Sequence, residues 1–212
     1  MSELLDQLDA AGIVHYVDLD GGWGEDLLEK HLQHFKAPAP QRFSIFGGID
    51  WAAWPVMGHK FPSWVAKRLM IQKEHGAQGL KVWKGFGLNV RDETGTLVNV
   101  DDPRMDAVWQ CAAELDLPVL MHIADPVAFF DPVDETNERW EEIGQHPDWA
   151  FTSPPYPPFM HILDGFSRMV ARHPATTFIG AHVGCYAENL GFVSAMLDTC
   201  PTYYVDLSAR IG

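Results

Sequence analysis

The sequence predicts an α/β fold built on a parallel sheet, and three observations carry that expectation. Short apolar runs alternate with stretches whose apolar residues recur at helical spacing. The runs are apolar on both faces, as strands covered by other elements on each side must be. Links from helix to strand are short while links from strand to helix are long, so one end of the sheet is built up. Barrels keep their active sites at that end. The choice is a doubly wound sheet or a barrel. No G-x-G-x-x-G follows the first strand, which weakens the dinucleotide-binding version of the former.

The elements follow in order. Leu4, Leu5, Leu8 and Ala11 form one helical face, and Gly12 stops that helix. IVHYVDLDGG (13–22) reads as a strand. EDLLEKHLQHFK (25–36) reads as a helix with Leu28, Leu32 and Phe35 on one side, and RFSIFGGID (42–50) as the second strand. SWVAKRLMIQKEHG (63–76) is a helix with Ser63 as N-cap and Gly76 just past its end. GLKVWKGFG (79–87) is the third strand. DDPRMDAVWQCAAEL (101–115) opens on an Asp102 cap and Pro103 at the first helical position. PVLMHIAD (118–125), TTFIGAHVG (176–184) and TYYVDLSAR (202–210) are strands four to six. FMHILDGFSRMVARH (159–173) and ENLGFVSAMLDTC (188–200) are the helices between them.

The long connections run over 51–62, 85–101 and 126–158. They carry Trp51, Trp54, Phe86, Phe129, Phe130, Trp140, Trp149, Phe151 and Tyr156, an aromatic load that argues against disorder and for a lid over a pocket. The chain has 212 residues, enough for one well-buried core, and a net charge of −14, which argues against nucleic acid as a partner. No apolar run approaches the roughly 18–20 residues of a membrane span. MSELLDQLDAAG reads as a helix and not a signal peptide. Cys111, Cys185 and Cys200 show no paired spacing, so a reducing, cytoplasmic setting is expected.

Two strands each run into a histidine near their C-terminal end: His122 in PVLMHIADP and His182 in TTFIGAHVG. A lone histidine there is ordinarily a core residue satisfied by a backbone carbonyl. A pair at equivalent strand ends argues for a divalent metal held by neutral imidazoles. By the period of two, Leu120 and His122 share a face, as do Phe178, Gly180 and His182. Inward-pointing faces would bring the two rings together. Lys84 shares a face with Leu80 and Val82. It could bind an anionic substrate, bridge two metals as a carbamate, form a Schiff base, or simply reach out to solvent. Asp125 and Asp206 are candidate bases, outer partners of a ligand histidine, or caps. Asp206 has Arg210 nearby as an ion-pair partner. His59 sits in a loop, and His15 lies mid-strand, poorly placed for the site.

The stretches GLKVWKGFG, DDPRMDAVWQCAAELDLPVLMHIADP, NERWEEIGQHPDW, TTFIGAHVGCYAENL and YYVDLSARI resemble, in order and spacing, the amidohydrolase superfamily. The closer likeness is to its amidohydrolase-related group of hydrolases and nonoxidative decarboxylases. The resemblance covers nearly the whole chain. It implies a TIM-type (β/α)8 barrel with a divalent metal, zinc first, and a small-molecule substrate; homo-oligomers are common in such enzymes. His122 matches the family's fifth-strand metal histidine. His182 matches the sixth-strand one, which also serves as acid/base or polarises the substrate in some members. Lys84 falls where some members carry a metal-bridging lysine, and with Arg210 it would hold a carboxylate. The family's first strand ends in His-x-His, and a metal-binding Asp follows its eighth. Neither motif occurs in this sequence. The six strands match the second to seventh of eight, so the expectation is one partial barrel domain over 1–212, short at both ends. The function implied is a metal-dependent hydrolase whose metal-activated water attacks a C–N or C–O bond. The alternatives are a decarboxylase of the same group and a catalytically incomplete fragment.

Overall fold

The computed structural model describes residues 1–152 and 154–209. Six strands appear in the expected order, shorter than the apolar runs that announce them: β1 (Tyr16–Asp18), β2 (Phe43–Gly47), β3 (Gly79–Val82), β4 (Val119–Met121), β5 (Phe178–Gly180) and β6 (Tyr203–Val205). Their spatial order is their sequence order and every pairing is parallel. A doubly wound sheet reverses strand order partway. This one does not, and it curls into part of a TIM barrel.

The helices are α1 (Ser2–Ala10), α2 (Glu25–His31), α3 (Phe61–His75), α4 (Asp106–Glu114), α5 (Trp140–Gln145), α6 (Phe159–Arg172) and α7 (Leu190–Thr199). The 25–36 stretch ends in a π-type turn over Leu32–Lys36. Ser63 is not a cap: α3 begins two residues earlier at Phe61-Pro62, and the Ser63 hydroxyl donates to the Lys60 carbonyl (2.9 Å). Asp102 does cap, accepting from the Arg104 amide (2.9 Å), with Pro103 opening a short 3₁₀ turn that leads into α4. The three long connections fold into short helical turns, one antiparallel bridge (Arg91 to Leu97) and α5.

The two faces of the sheet differ. Leu80, Val82, Val119, Met121 and Phe178 are fully buried on the helix side, where Trp109 of α4 packs edge-on to Phe178 and Phe166 of α6 to Tyr203. Register places Phe46 beside Gly79, Lys81 beside Leu120, and Leu120 beside Ile179, on the opposite, concave side. Trp83 and Tyr204 on that side remain about half exposed. The ring of Phe46 lies where a Cβ on Gly79 would be. Gly79→Ala is therefore expected to destabilise the chain by about 1–3 kcal/mol through overpacking, read as a lower urea midpoint at unchanged slope.

Candidate metal centre

His122 follows the last residue of β4, and its amide continues the ladder by donating to the Val82 carbonyl (2.9 Å). It therefore keeps the concave side that Leu120 occupies. His182 arrives by another route. Phe178 and Gly180 belong to the helix side, so a straight strand would turn His182 away from His122. The strand stops at Gly180, and residues 182 to 185 all take left-handed conformations, with φ of 53°, 60°, 71° and 61°. This turn swings the imidazole back until the two ring centroids are 4.6 Å apart at 87°.

The turn costs about 1–2 kcal/mol at each non-glycine position, so something must hold it. Gly184 supplies one position without that cost, and the Tyr203 hydroxyl packs where its Cβ would be. Asp206, just past β6, supplies the rest. Its Oδ1 accepts from the His182 amide (2.8 Å), the Ser208 amide (3.1 Å) and the Ser208 hydroxyl (2.7 Å). Its carbonyl accepts from the Val183 amide (2.8 Å). Asp206 thus acts on the backbone that carries the histidine and not on the imidazole itself.

The donor atoms suit a divalent ion. His182 Nδ1 donates to the Ser208 carbonyl (2.9 Å); a carbonyl only accepts, so Nδ1 carries a proton and Nε2 is the nitrogen left to face an ion. His122 Nε2 is buried without a hydrogen-bond partner, 3.8 Å from Asp125 Oδ2. Burial first, then the His182, Lys81 and Lys84 charges, push the His122 pKa down to about 3, so it is a neutral imidazole at neutral pH. One donor atom each from His122, Asp125 and His182 lie within 4.8 Å of one another. Around a tetrahedral zinc with bonds of about 2.1 Å two donors stand roughly 3.4 Å apart, so the set would draw in by up to roughly 1.4 Å to close on an ion. An orphaned buried nitrogen inside a two-histidine, one-carboxylate cluster fits a metal better than it fits a packed core.

Lys84 lies two residues past β3, where the chain has already turned. Its ammonium sits over the rings of Phe129 (4.9 Å), Phe151 (5.4 Å) and Trp149 (5.7 Å). Burial lowers its pKa against the opposing pull of Asp125 and Glu142. A cavity of about 180 Å³ joins Lys84, His122, Asp125, Arg139, Trp149 and His182. A larger one, about 290 Å³ beside β1, is lined by Asp18 and His31, which pair with each other at 2.6 Å away from this cluster.

Asp125, read from sequence as a base, an outer partner or a cap, stands among the donors. Arg210 lies outside the described residues. His59 is exposed, and His15 bonds the Gln41 carbonyl and the Ser44 hydroxyl. Two residues escaped the sequence reading. Lys81 is almost fully buried on the concave side over Trp83 (4.6 Å), and burial pushes its pKa down to about 8. The period of two in GLKVW, with Leu80 and Val82 on the other face, was the signal for it. Arg139 gave no such signal within the charged run NERWEE.

A model of the amidohydrolase family matches residues 47–211. No curated protein matches the sequence. Solved structures that share the fold include three decarboxylases. A 2,6-dihydroxybenzoate decarboxylase complexed with 2,6-dihydroxybenzoate aligns over 98% of this chain and 68% of its own, at 16% identity and a TM-score of 0.59. The 5-carboxyvanillate decarboxylase of Sphingomonas paucimobilis aligns over 98% and 64%, at 13% identity and 0.53. A dihydroxybenzoic acid decarboxylase of Polaromonas, with bound manganese and the inhibitor 2-nitroresorcinol, aligns over 90% and 55%, at 17% identity and 0.53. The chain spans about two thirds of the first and less of the other two.

Proposed function

The chain belongs to the amidohydrolase family, and from that premise we propose that it carries the metal centre of a nonoxidative decarboxylase acting on hydroxylated aromatic acids. One observation carries the reading. A cationic lysine under three aromatic rings shares a single cavity with the histidine and carboxylate donors. A flat ring bearing a carboxylate suits that combination of aromatic wall and positive charge. The names of the three similar structures support the same choice over hydrolysis.

His122, His182 and Asp125 would hold the ion. A divalent metal would supply positive charge that binds the substrate's oxygens and draws electron density from the ring. Zinc suits the nitrogen-rich donor set, and manganese is the alternative drawn from the Polaromonas structure. Phe129 and Trp149 flank the ring, with Phe151 packed against Phe129, and keep bulk water from the reacting carbon. Lys84 attracts the aromatic acid. When the bond between ring and carboxyl breaks, its electron pair stays on the ring carbon and CO2 leaves. A proton must then take the vacated position. We assign that proton to Lys84, whose burial makes it a stronger acid than a free lysine. His182, oriented by Ser208 and Asp206, fixes the geometry on the opposite side of the cluster. Hydrolysis is the second reading, favoured by the family match itself. It uses the same donors to polarise a carbonyl.

The test uses the 212-residue chain dialysed against zinc or manganese. Near-stoichiometric metal is expected, lost in His122→Ala with His182→Ala. Release of labelled CO2 from 2,6-dihydroxybenzoate is expected from the loaded chain. Lys84→Met should abolish it while metal content stays. Metal content unchanged in the double variant, or amide or ester cleavage without CO2 release, would reject the reading.

A further inference from the structure

Arg139 and Glu142 line the same cavity as Lys84 and the candidate donors. They form an ion pair one turn apart, Arg139 Nη1 to Glu142 Oε2 at 3.0 Å, with Glu138 at 3.7 Å from Arg139 Nε. On an open surface such a pair would mean little. Here the backbone of Arg139 is tied down by a buried side chain. Asn137 Oδ1 accepts from the Arg139 amide (2.8 Å), while its Nδ2 donates to the carbonyls of Ala128 (2.8 Å) and Pro132 (3.0 Å). Ala128 neighbours Phe129, one of the rings around Lys84. The residue before α5 is therefore fixed relative to the aromatic wall.

A guanidinium has five donors in a rigid fork suited to a carboxylate. Glu142 occupies Nη1 and Glu138 stands 3.7 Å from Nε, which leaves Nη2 without a hydrogen bond to either carboxylate. An aromatic acid in the cavity meets the metal ligands, Lys84 and a second, forked cation. One acidic substituent cannot use all three. We propose that Arg139 determines specificity by taking a second acidic substituent on the ring, and that Glu142 is the internal carboxylate which that substituent displaces. The preferred substrate is then an aromatic di-acid and not a simple benzoate. This rests on the proposed reading of the cavity as an aromatic-acid site.

The experiment is calorimetric titration of the metal-loaded chain with benzoate and with isophthalate, for wild type, Arg139→Gln, Arg139→Lys and Glu142→Gln. Wild type is expected to bind isophthalate about tenfold or more tighter than benzoate. Arg139→Gln should erase that ratio and leave benzoate unchanged. Arg139→Lys should restore it only in part, since an ammonium lacks the fork. Glu142→Gln should raise isophthalate affinity alone, by removing the competing carboxylate. Equal losses for both acids in Arg139→Gln, a wild-type ratio near one, or no binding of either acid would overturn the proposal. CO2 release decides the decarboxylase reading separately. A chain that turns over substrate but shows no isophthalate preference keeps that reading and loses this one.

Discussion

Asp206→Ala is expected to weaken metal binding about 10–100-fold, although its carboxylate bonds only backbone atoms and a serine hydroxyl. The reason lies in the turn after β5. His182, Val183 and Cys185 sit at positive φ without being glycine, and Val183 is β-branched, the worst case for that region. Asp206 Oδ1 gathers three donors, and removing it leaves the His182 amide without its partner. Lost bonds of this kind cost about 1–3 kcal/mol when they are partly buried and charged. The turn is then free to relax toward an extended path, which carries His182 to the helix side and away from His122. Asp206→Asn keeps an Oδ1 acceptor and should restore most of the affinity. Zinc titration against a competing chelator measures the effect, with urea melts alongside. If Asp206→Ala binds zinc as wild type does, the turn is held by the Val183–Asp206 backbone bond and the Tyr203 packing alone.

The contrast between the two histidines shows what was legible in the sequence. Strand order, helix order and the build-up at one end of the sheet follow from apolar periodicity and loop lengths, which are local properties. The inward face of Leu120 and His122 follows from the period of two because β4 stays regular to that point. The same rule applied to Phe178, Gly180 and His182 gives the wrong side, because backbone handedness beyond Gly180 overrides it. Only the pair Gly180 and Gly184, with a tyrosine in the next strand to fill the space, hinted at that. Asp125 was visible as a candidate base, outer partner or cap, but its place before Pro126 gave no sign that its carboxylate stands among the donors. Arg139 depends on Asn137 tying together residues 128, 132 and 139, a contact with no periodic signature. Ser63 failed as a cap because Pro62, fixed at helical φ, lets the helix start ahead of it.

His122→Leu is expected to change sign with metal. In the metal-free chain, His122 Nε2 is buried without a partner, a state that costs about 1–3 kcal/mol. A leucine of similar size removes that cost, so the metal-free variant should be as stable as wild type or more so. With zinc at a hundred times its dissociation constant, wild type gains about 2.7 kcal/mol that the variant cannot. The order of stabilities then inverts. Acid separates the two chains further. The His122 pKa is lowered from 6.5 to about 3 on folding, so below pH 6.5 the unfolded chain takes a proton that the native chain refuses. That contribution to native stability is whole above pH 6.5 and drains away toward pH 3, by up to about 1.4 kcal/mol per pH unit. Carboxylates such as Asp92, held down at about 2 by bonds from Thr94 and Arg104, add their own acid sensitivity. They do so equally in both chains, so the difference between wild type and His122→Leu isolates the histidine. Urea melts of both chains at pH 7.5, 6 and 5, with and without zinc, measure it. A variant that is less stable than wild type without metal at every pH would mean that the imidazole is a satisfied core residue, and the metal assignment of His122 would fall.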